Sequence, residues 1–250
     1  KFDKLFQRAK ELGFDYVVTG HYARIEYDEK SGRYLLKKAL DDTKDQSYVL
    51  YSMTKEQLAH TRFPLGALRK TEVREIAGQN GFVNARKHDS QDICFVQHGT
   101  YADFIKKTTG KDYPAGDFID SAGNVLGRHK GIIYYTVGQH KGLGISSEEP
   151  WYVKEVRPAE NTVVLCRSEE LFTSVLEAAD VNLISVDRID APMRVCAKVR
   201  YRQKEQPATV TQLENGHIRV EFDQPQRAIT KGQAVVLYDG DIVVGGGTIV

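Results

Sequence analysis

Apolar positions at the start of the chain recur at the spacing of an amphipathic helix over residues 1–12, which Gly13 would close. The apolar positions of this helix are Phe2, Leu5, Phe6, Ala9 and Leu12. The next stretch, FDYVVTGH, predicts a short buried strand at residues 16–18, followed by Thr19, Gly20 and His21. A helix, a strand and a glycine at the strand's carboxyl end are typical of a doubly wound parallel sheet.

Further elements follow at regular intervals. Residues 22–38 alternate in polarity around Ser31-Gly32 and predict a β-hairpin. Residues 54–60 and 70–80 predict helices, and Gly81 would end the second.

The pattern changes after about residue 105. The stretch GKDYPAGDFIDSAGNVLGRHKG, residues 110–131, is rich in turn formers, and the runs WYVKEV and NTVVLC within 150–166 predict two strands. From residue 171 onward, short and evenly spaced strands with Asn-Gly and Asp-Gly turns predict a small β-barrel.

Composition is that of an ordinary globular protein, with 41% hydrophobic and 28% charged residues. The net charge of +1 predicts no global attraction to polyanions, so a nucleic-acid surface has to be a local patch. No apolar run reaches the roughly 20 residues that cross a bilayer. Because the chain opens at Lys1 inside a helical pattern, we expect further sequence to precede it.

Three cysteines, Cys94, Cys166 and Cys196, form no CxxC pair, which favours a reducing cytoplasm over a disulfide scaffold. Cys94 lies in the polar stretch DSQDICFV, between His88 and His98. These three ligands at irregular spacing make a metal site unfavourable, so we predict none. A buried structural thiol and a nucleophile both remain open for Cys94.

Two polar segments are candidates for ligand contact. Gly20 either lets a nucleotide approach the backbone or makes a simple turn. In DDTKDQSY, residues 41–48, Asp45 could cap the following helix and Lys44 could hold a phosphate. The alternative for this segment is a solvated helix start.

Two later segments carry positive charge. The loop YYTVGQHKGLGI, residues 134–145, is either a flexible active-site loop or a linker. Read as one strand, RVCAKVRYRQK places five cations on one face and apolar side chains on the other, which favours contact with a nucleic-acid backbone over a solvated edge. The five cations are Arg194, Lys198, Arg200, Arg202 and Lys204.

Taken together, these segments closely resemble the tRNA-specific 2-thiouridylase family (MnmA/TrmU). The matching stretches extend along the whole chain in family order: GFDYVVTGHYAR, KDQSYVLY, FPLGALRKTEVREIA, DSQDICFV, YYTVGQHKGLGI and QRAITKGQAVVLYDGDIVVGGGTI. The resemblance implies an α/β plus β fold. Its parts are the C-terminal portion of a PP-loop, Rossmann-like adenylation domain at residues 1–105, a central tRNA-contacting α+β domain at 106–170 and a tRNA-binding β-barrel at 171–250.

The resemblance also implies an activity. Family members thiolate the wobble uridine of tRNA at C2, with ATP adenylating the C2 oxygen, Mg²⁺ expected at the phosphates, and sulfur carried as a cysteine persulfide. Cys94 matches the persulfide carrier, which a separate sulfur-donor protein would load. Gly20 matches an ATP-contacting glycine. The implied nucleic acid is tRNA, not DNA, and no membrane is involved.

Seven residues match tRNA-contacting positions of the family. They are His21, Lys44, Asp45, Gln46, Arg200, Tyr201 and Gln233. The sequence departs from the family pattern in three respects. It contains neither the SGGxDSS loop nor the segment with the second catalytic cysteine, and His140 replaces an arginine of the glycine-rich loop. A non-catalytic RNA-binding module and a hydrolase using Cys94 and His98 are the alternative functions.

Overall fold

The computed structural model describes residues 2–85 and 100–250. Its five α-helices are α1 (Phe2–Glu11), α2 (Ser47–Leu50), α3 (Lys55–Ala59), α4 (Lys70–Gln79) and α5 (Tyr101–Thr109). Short 3-10 helices span Ile132–Tyr134 and Ser168–Leu171.

Fourteen strands are present in the described residues. The first eight are β1 (Val17–Val18), β2 (Arg24–Asp28), β3 (Arg33–Lys37), β4 (Thr61–Arg62), β5 (Gly116–Ile119), β6 (Val125–His129), β7 (Tyr152–Arg157) and β8 (Thr162–Cys166). The last six are β9 (Phe172–Leu183), β10 (Met193–Lys198), β11 (Gln206–Gln212), β12 (Ile218–Arg227), β13 (Ala234–Asp239) and β14 (Ile242–Ile249).

The chain divides into two compact units. Among the described residues, the first unit contains 2–85, 174–224 and 231–250, and the second contains 100–173 and 225–230. The N-terminal α/β segment and most of the C-terminal strands therefore belong to one unit, although almost ninety residues separate them in sequence. The boundaries near residues 105 and 170 remain predictions.

The N-terminal segment of the first unit contains a parallel strand pair. Val17 on β1 aligns with Thr61 on β4. Thr54 caps α3 because its side chain accepts from the backbone N–H of Gln57, whose side chain in turn accepts from the Thr54 N–H. The helices expected at residues 1–12, 54–60 and 70–80 and the hairpin within 22–38 are all confirmed.

The expectation that β1 is a buried strand is wrong. Tyr16 and Val18 are 50% and 63% exposed. Within the described residues, the only strand that pairs with β1 is β4, and the Tyr16 ring lies under the guanidinium of Arg62, 4.1 Å from its centroid. A short apolar run does not reveal how many neighbours its strand has, so the sequence pattern overestimated its burial.

Six strands form the closed β-barrel predicted from residue 171 onward. The order is β13-β10-β11-β12-β9-β14, and β14 pairs again with β13 to close it. The hairpin of β2 and β3 extends the same sheet, because Lys37 aligns with Ile242 on β14. The interior is filled by alternate side chains such as Val195, Val220 and Leu237, all at most 6% exposed.

The expected strand with five cations on one face is also wrong. β10 ends at Lys198, and Arg200, Arg202 and Lys204 lie in the loop between β10 and β11. Because Ala197 aligns with Gln206 on the antiparallel β11, the chain has to reverse direction between them. Arg194 does lie on β10, where it donates two hydrogen bonds to Asp223 on β12, at 2.8 and 2.7 Å.

The second unit is built on a four-stranded mixed sheet with the order β6-β5-β8-β7, in which β5 and β8 are parallel. Its buried core contains Phe118, Tyr135, Leu143, Val153, Val163 and Leu165. Tyr135 and Leu143 belong to the loop at 134–145, and its Gly138 N–H donates to the Val153 carbonyl at 2.7 Å. This loop is thus held against β7 by both packing and hydrogen bonds.

Close backbone approach in the barrel predicts a sharp difference between two glycine substitutions. Gly245 has φ +155°, and an added Cβ would lie 2.3 Å from the Asn182 carbonyl oxygen. We expect Gly245→Ala to lower the free energy of unfolding by about 2–4 kcal/mol. Gly78 lies in α4 with open space around it, so Gly78→Ala should raise that free energy by about 0.5–1 kcal/mol. Urea unfolding measures the free energy of unfolding of both variants. Equal effects of the two substitutions would contradict the claim that the backbone at Gly245 on β14 leaves no room for a side chain.

Candidate functional site

The segment at residues 41–48 forms a tight turn anchored by a buried carboxylate. Asp41 is 8% exposed and accepts from the Thr43 hydroxyl at 2.6 Å and from the Lys70 N–H, the first of α4, at 2.9 Å. The Lys44 N–H donates to the Asp41 carbonyl at 3.1 Å. The Thr43 hydroxyl and the Lys70 N–H lower the pKa of Asp41. Asp41 therefore links the Lys44 turn to the start of α4.

Asp45 connects the same turn to α2. Its carboxylate accepts from the Ala39 N–H at 3.0 Å, from the Ser47 N–H at 3.2 Å and from the Ser47 hydroxyl at 2.7 Å. Ser47 is fully buried and lies 3.3 Å from the hydroxyl of Tyr238 on β13. The prediction that Asp45 caps α2 is wrong, because Gln46 is the N-cap residue and no side chain makes the capping hydrogen bond. Asp45 lies one position earlier and binds Ser47, the first residue of α2, so the helix start is still held by the protein.

Gln46 pairs with the segment that follows β1. The Gln46 N–H donates to the Tyr22 carbonyl at 2.8 Å, and the Tyr22 N–H donates to the Gln46 side-chain oxygen at 2.9 Å. Because Tyr22 directly follows Gly20 and His21, these two bonds hold the expected ATP-contacting and RNA-contacting segments side by side.

His21 borders a cleft of about 300 Å³ in the first unit. The residues lining this cleft are Phe2, Asp3, His21, Val49, Leu50, Ser52, Met53 and Gln57. The His21 ring lies 2.8 Å from the Thr19 hydroxyl through Nδ1 and packs against Phe2 and Phe63. Gly20 is exposed at the carboxyl end of β1, where ligands bind in open parallel sheets.

Arg200 and Tyr201 lie next to the segment at residues 41–48, although about 155 residues separate them from it in sequence. The Tyr201 ring packs near Tyr48 of α2, with centroids 6.1 Å apart. Burial raises the pKa of Tyr201, nearby Asp45 raises it further, and the charge of Lys44 opposes the shift. Burial likewise raises the pKa of Tyr48 to about 12, against the charge of Arg200. The packing of Tyr201 against Tyr48 brings the two expected RNA-contacting segments together.

Gln233 belongs to the same neighbourhood. Its carbonyl accepts from the Ile249 N–H at 2.8 Å, at the start of β13. The Tyr48 hydroxyl donates to the carbonyl of the next residue, Ala234, at 2.8 Å. Tyr48 thus contacts both the Gln233–Ala234 turn and Tyr201.

We call this surface the loop–barrel surface; it comprises residues 41–48, 199–204 and 233–234. Arg202 and Lys204 are exposed on it beside the half-exposed ring of Tyr201, and the cations Lys44 and Arg200 are partly buried there. Cations that neutralise phosphates and an aromatic ring that stacks on bases are the groups that nucleic-acid surfaces combine. The sequence did not reveal the supporting residues Ser47, Tyr48 and Tyr238, although a tyrosine in the apolar run AVVLYD was a signal of a buried polar contact.

The cysteines differ sharply in environment. Cys166 on β8 is fully buried, and burial raises the pKa of its thiol to about 11. Cys196 is half-buried on β10. A nucleophilic cysteine requires thiolate character and access, so Cys166 does not fit that role. Cys94, like His88 and His98, lies outside the described residues. His140 is exposed, and its ring packs near Tyr152 with centroids 5.6 Å apart.

Three family models match successive parts of the chain. The tRNA methyl transferase HUP domain matches residues 1–98, the tRNA methyl transferase PRC-barrel domain matches 102–167, and the aminomethyltransferase beta-barrel domain matches 173–249. The α/β segment, the mixed sheet and the closed barrel therefore define a protein of the tRNA-modifying class with three such domains in series.

Curated relatives narrow this class to one family. The tRNA-specific 2-thiouridylases MnmA of Clostridioides difficile and Acetivibrio thermocellus are 53% and 51% identical over 249 residues, which is 100% of this chain and 69% of each relative. That of Moorella thermoacetica is 50% identical and is covered to 70% of its length. The chain belongs to the tRNA-specific 2-thiouridylase MnmA family, so the resemblance found in the sequence is confirmed.

In residues 2–85 and 100–250, none of the helices has the length and apolar character needed to cross a bilayer.

The Asp41 anchor predicts a pH-dependent contribution to stability. Because the folded-state pKa of Asp41 is lowered, its contribution is present above the unfolded value of about 3.9 and is lost as pH falls below it. Asp41→Asn should therefore destabilise the protein at pH 6, and the difference from the parent should shrink between about pH 4 and pH 2. Urea unfolding across this range is the measurement. A difference that stays constant would show that the charge of Asp41 is unimportant.

Proposed function

We propose that this protein carries out ATP-dependent 2-thiolation of the wobble uridine of tRNA. The family supports the activity, because relatives named for it match the whole chain at about 50% identity. The observation that favours it most directly is the loop–barrel surface, where the two groups of residues expected to contact tRNA meet. Lys44 and Arg200 neutralise phosphates on this surface, and Tyr201 offers a ring to the RNA.

The segment of Gly20 and His21 receives the reactive part of both substrates. Its position at the carboxyl end of β1 suits a nucleotide, and the exposed glycine leaves the backbone accessible. ATP, when bound, supplies the adenylyl group that converts the C2 oxygen of uracil into a leaving group, with Mg²⁺ offsetting phosphate charge. His21, on the rim of the cleft, contacts the RNA where the target base leaves its stack.

Cys94 carries the incoming sulfur as a persulfide, which a separate sulfur-donor protein loads. The polar sequence around Cys94 suits a thiol that both the donor and the activated base have to reach. The buried Cys166, whose thiol stays protonated at neutral pH, is unsuited to this role. A thiol that has to remain reduced between cycles is consistent with a cytoplasmic location.

Cysteine substitutions test the proposal. In cells whose sole copy of the gene encodes Cys94→Ser, we expect no 2-thiouridine in tRNA, because serine cannot carry a persulfide. Cys166→Ala removes a buried thiol that the chemistry does not use and should leave 2-thiouridine present. Mass spectrometry of tRNA nucleosides is the measurement. Normal thiolation with Cys94→Ser would refute the assignment, and tRNA binding by a parent protein that never thiolates would favour an RNA-binding module.

A further inference from the structure

We propose that Asp45 acts in RNA binding as a positioning residue: its carboxylate holds the turn that presents Lys44 to the RNA. The inference rests on the proposed function, because it concerns how the same surface binds tRNA. The proposal gives the residues of the Lys44–Gln46 triplet different roles, because Lys44 is the one member with a positive charge.

The hydrogen bonds of Asp45 all point into the protein. Oδ1 accepts from the N–H groups of Ala39 and Ser47, at 3.0 and 3.2 Å, and Oδ2 accepts from the Ser47 hydroxyl at 2.7 Å. A carboxylate has about four acceptor sites, so these three bonds fill most of its capacity. Both oxygens are committed to the residues on either side of the turn.

The chain of hydrogen bonds continues into the barrel. Because the Ser47 hydroxyl donates its one proton to Asp45, it accepts from the Tyr238 hydroxyl at 3.3 Å. Ser47 and Tyr238 are both fully buried, and the Tyr238 ring is further contacted by the ammonium group of Lys38, 4.7 Å from its centroid. The path Tyr238–Ser47–Asp45 therefore connects a rigid strand of the barrel to the turn.

Two further anchors restrict the turn. On one side, the Lys44 N–H donates to the carbonyl of Asp41, whose side chain is bound to α4. On the other side, Gln46 makes two hydrogen bonds with Tyr22. Asp41 thus holds the backbone before Lys44, and Gln46 holds it after Lys44. Asp45 is the anchor directly next to Lys44.

Electrostatics distinguishes a positioning carboxylate from an RNA-facing one. A carboxylate that faced phosphates would repel them, so removing its charge would strengthen RNA binding. A carboxylate that holds Lys44 in place has the opposite effect when it is lost. Asp42, exposed in the same turn, provides a matched carboxylate for comparison.

The experiment measures tRNA binding by the protein against salt concentration. We expect Lys44→Ala to weaken binding about tenfold and to reduce the slope of log K against log salt by roughly 0.7–0.9, the value for one phosphate contact. Asp45→Ala should cause a similar loss of affinity and of slope, although it removes a negative charge. Asp42→Ala should strengthen binding, because it removes an exposed negative charge from the same surface.

A double-mutant cycle completes the test. Asp45→Ala in the Lys44→Ala background should cause no further loss, because the contact that it positions is already gone. Tyr238→Phe, which removes one buried hydroxyl, should weaken binding about fivefold, as for one ordinary hydrogen bond. Asp45→Asn, close in shape to aspartate, replaces Asp45→Ala if that variant is unfolded by circular dichroism.

The outcomes separate the two proposals. Additive losses from the two substitutions, or stronger binding by Asp45→Ala, would overturn the positioning role and leave the proposed function standing. No effect of Lys44→Ala would overturn the positioning role together with the assignment of Lys44 to the RNA surface. Absence of any tRNA binding by the parent protein would contradict the proposed function itself.

Discussion

The contact between α2 and β13 is the interaction on which the arrangement of the first unit depends. Ser47 and Tyr48 make hydrogen bonds to Tyr238 and to the Ala234 carbonyl, at 3.3 and 2.8 Å. Polar groups buried in this way cost free energy unless they are paired, so the helix and the strand have to meet in one register. The hairpin of β2 and β3 supports the same docking because it extends the barrel sheet through β14.

This docking explains how distant segments form one surface. The α/β segment contributes Lys44 and the barrel contributes Arg200 and Tyr201, and neither set is complete without the other. The two hydrogen bonds between Gln46 and Tyr22 attach the neighbouring Gly20 and His21 to the same segment. An enzyme that binds RNA with one segment and carries its reactive groups on another needs such a fixed connection. A small displacement of the substrate from the reactive groups already slows catalysis.

Local patterns predicted the local structure well, and distant contacts poorly. Turn signals and periodicity predicted the hairpin at Ser31-Gly32, the helix within 54–60 and the barrel strands. The alternation of polar and apolar residues continues beyond Lys198, so the predicted strand was too long. This pattern does not show where the antiparallel partner of β10, strand β11, begins. The burial of Val18 depended on the number of neighbouring strands, and the bond from Ser47 to Tyr238 joins residues 191 positions apart. Family resemblance, not periodicity, identified the candidate site residues.

Hydrogen–deuterium exchange with and without tRNA tests the central claim most directly. If the loop–barrel surface is a single RNA-binding surface, tRNA should slow exchange in peptides covering 41–48 and 199–206 together, and both should lose this protection at the same salt concentration. The β2–β3 turn at 29–32, outside every segment expected to contact RNA, provides an internal comparison and should show no protection. Protection of only one of the two segments, or of neither, would contradict the claim that they bind RNA together.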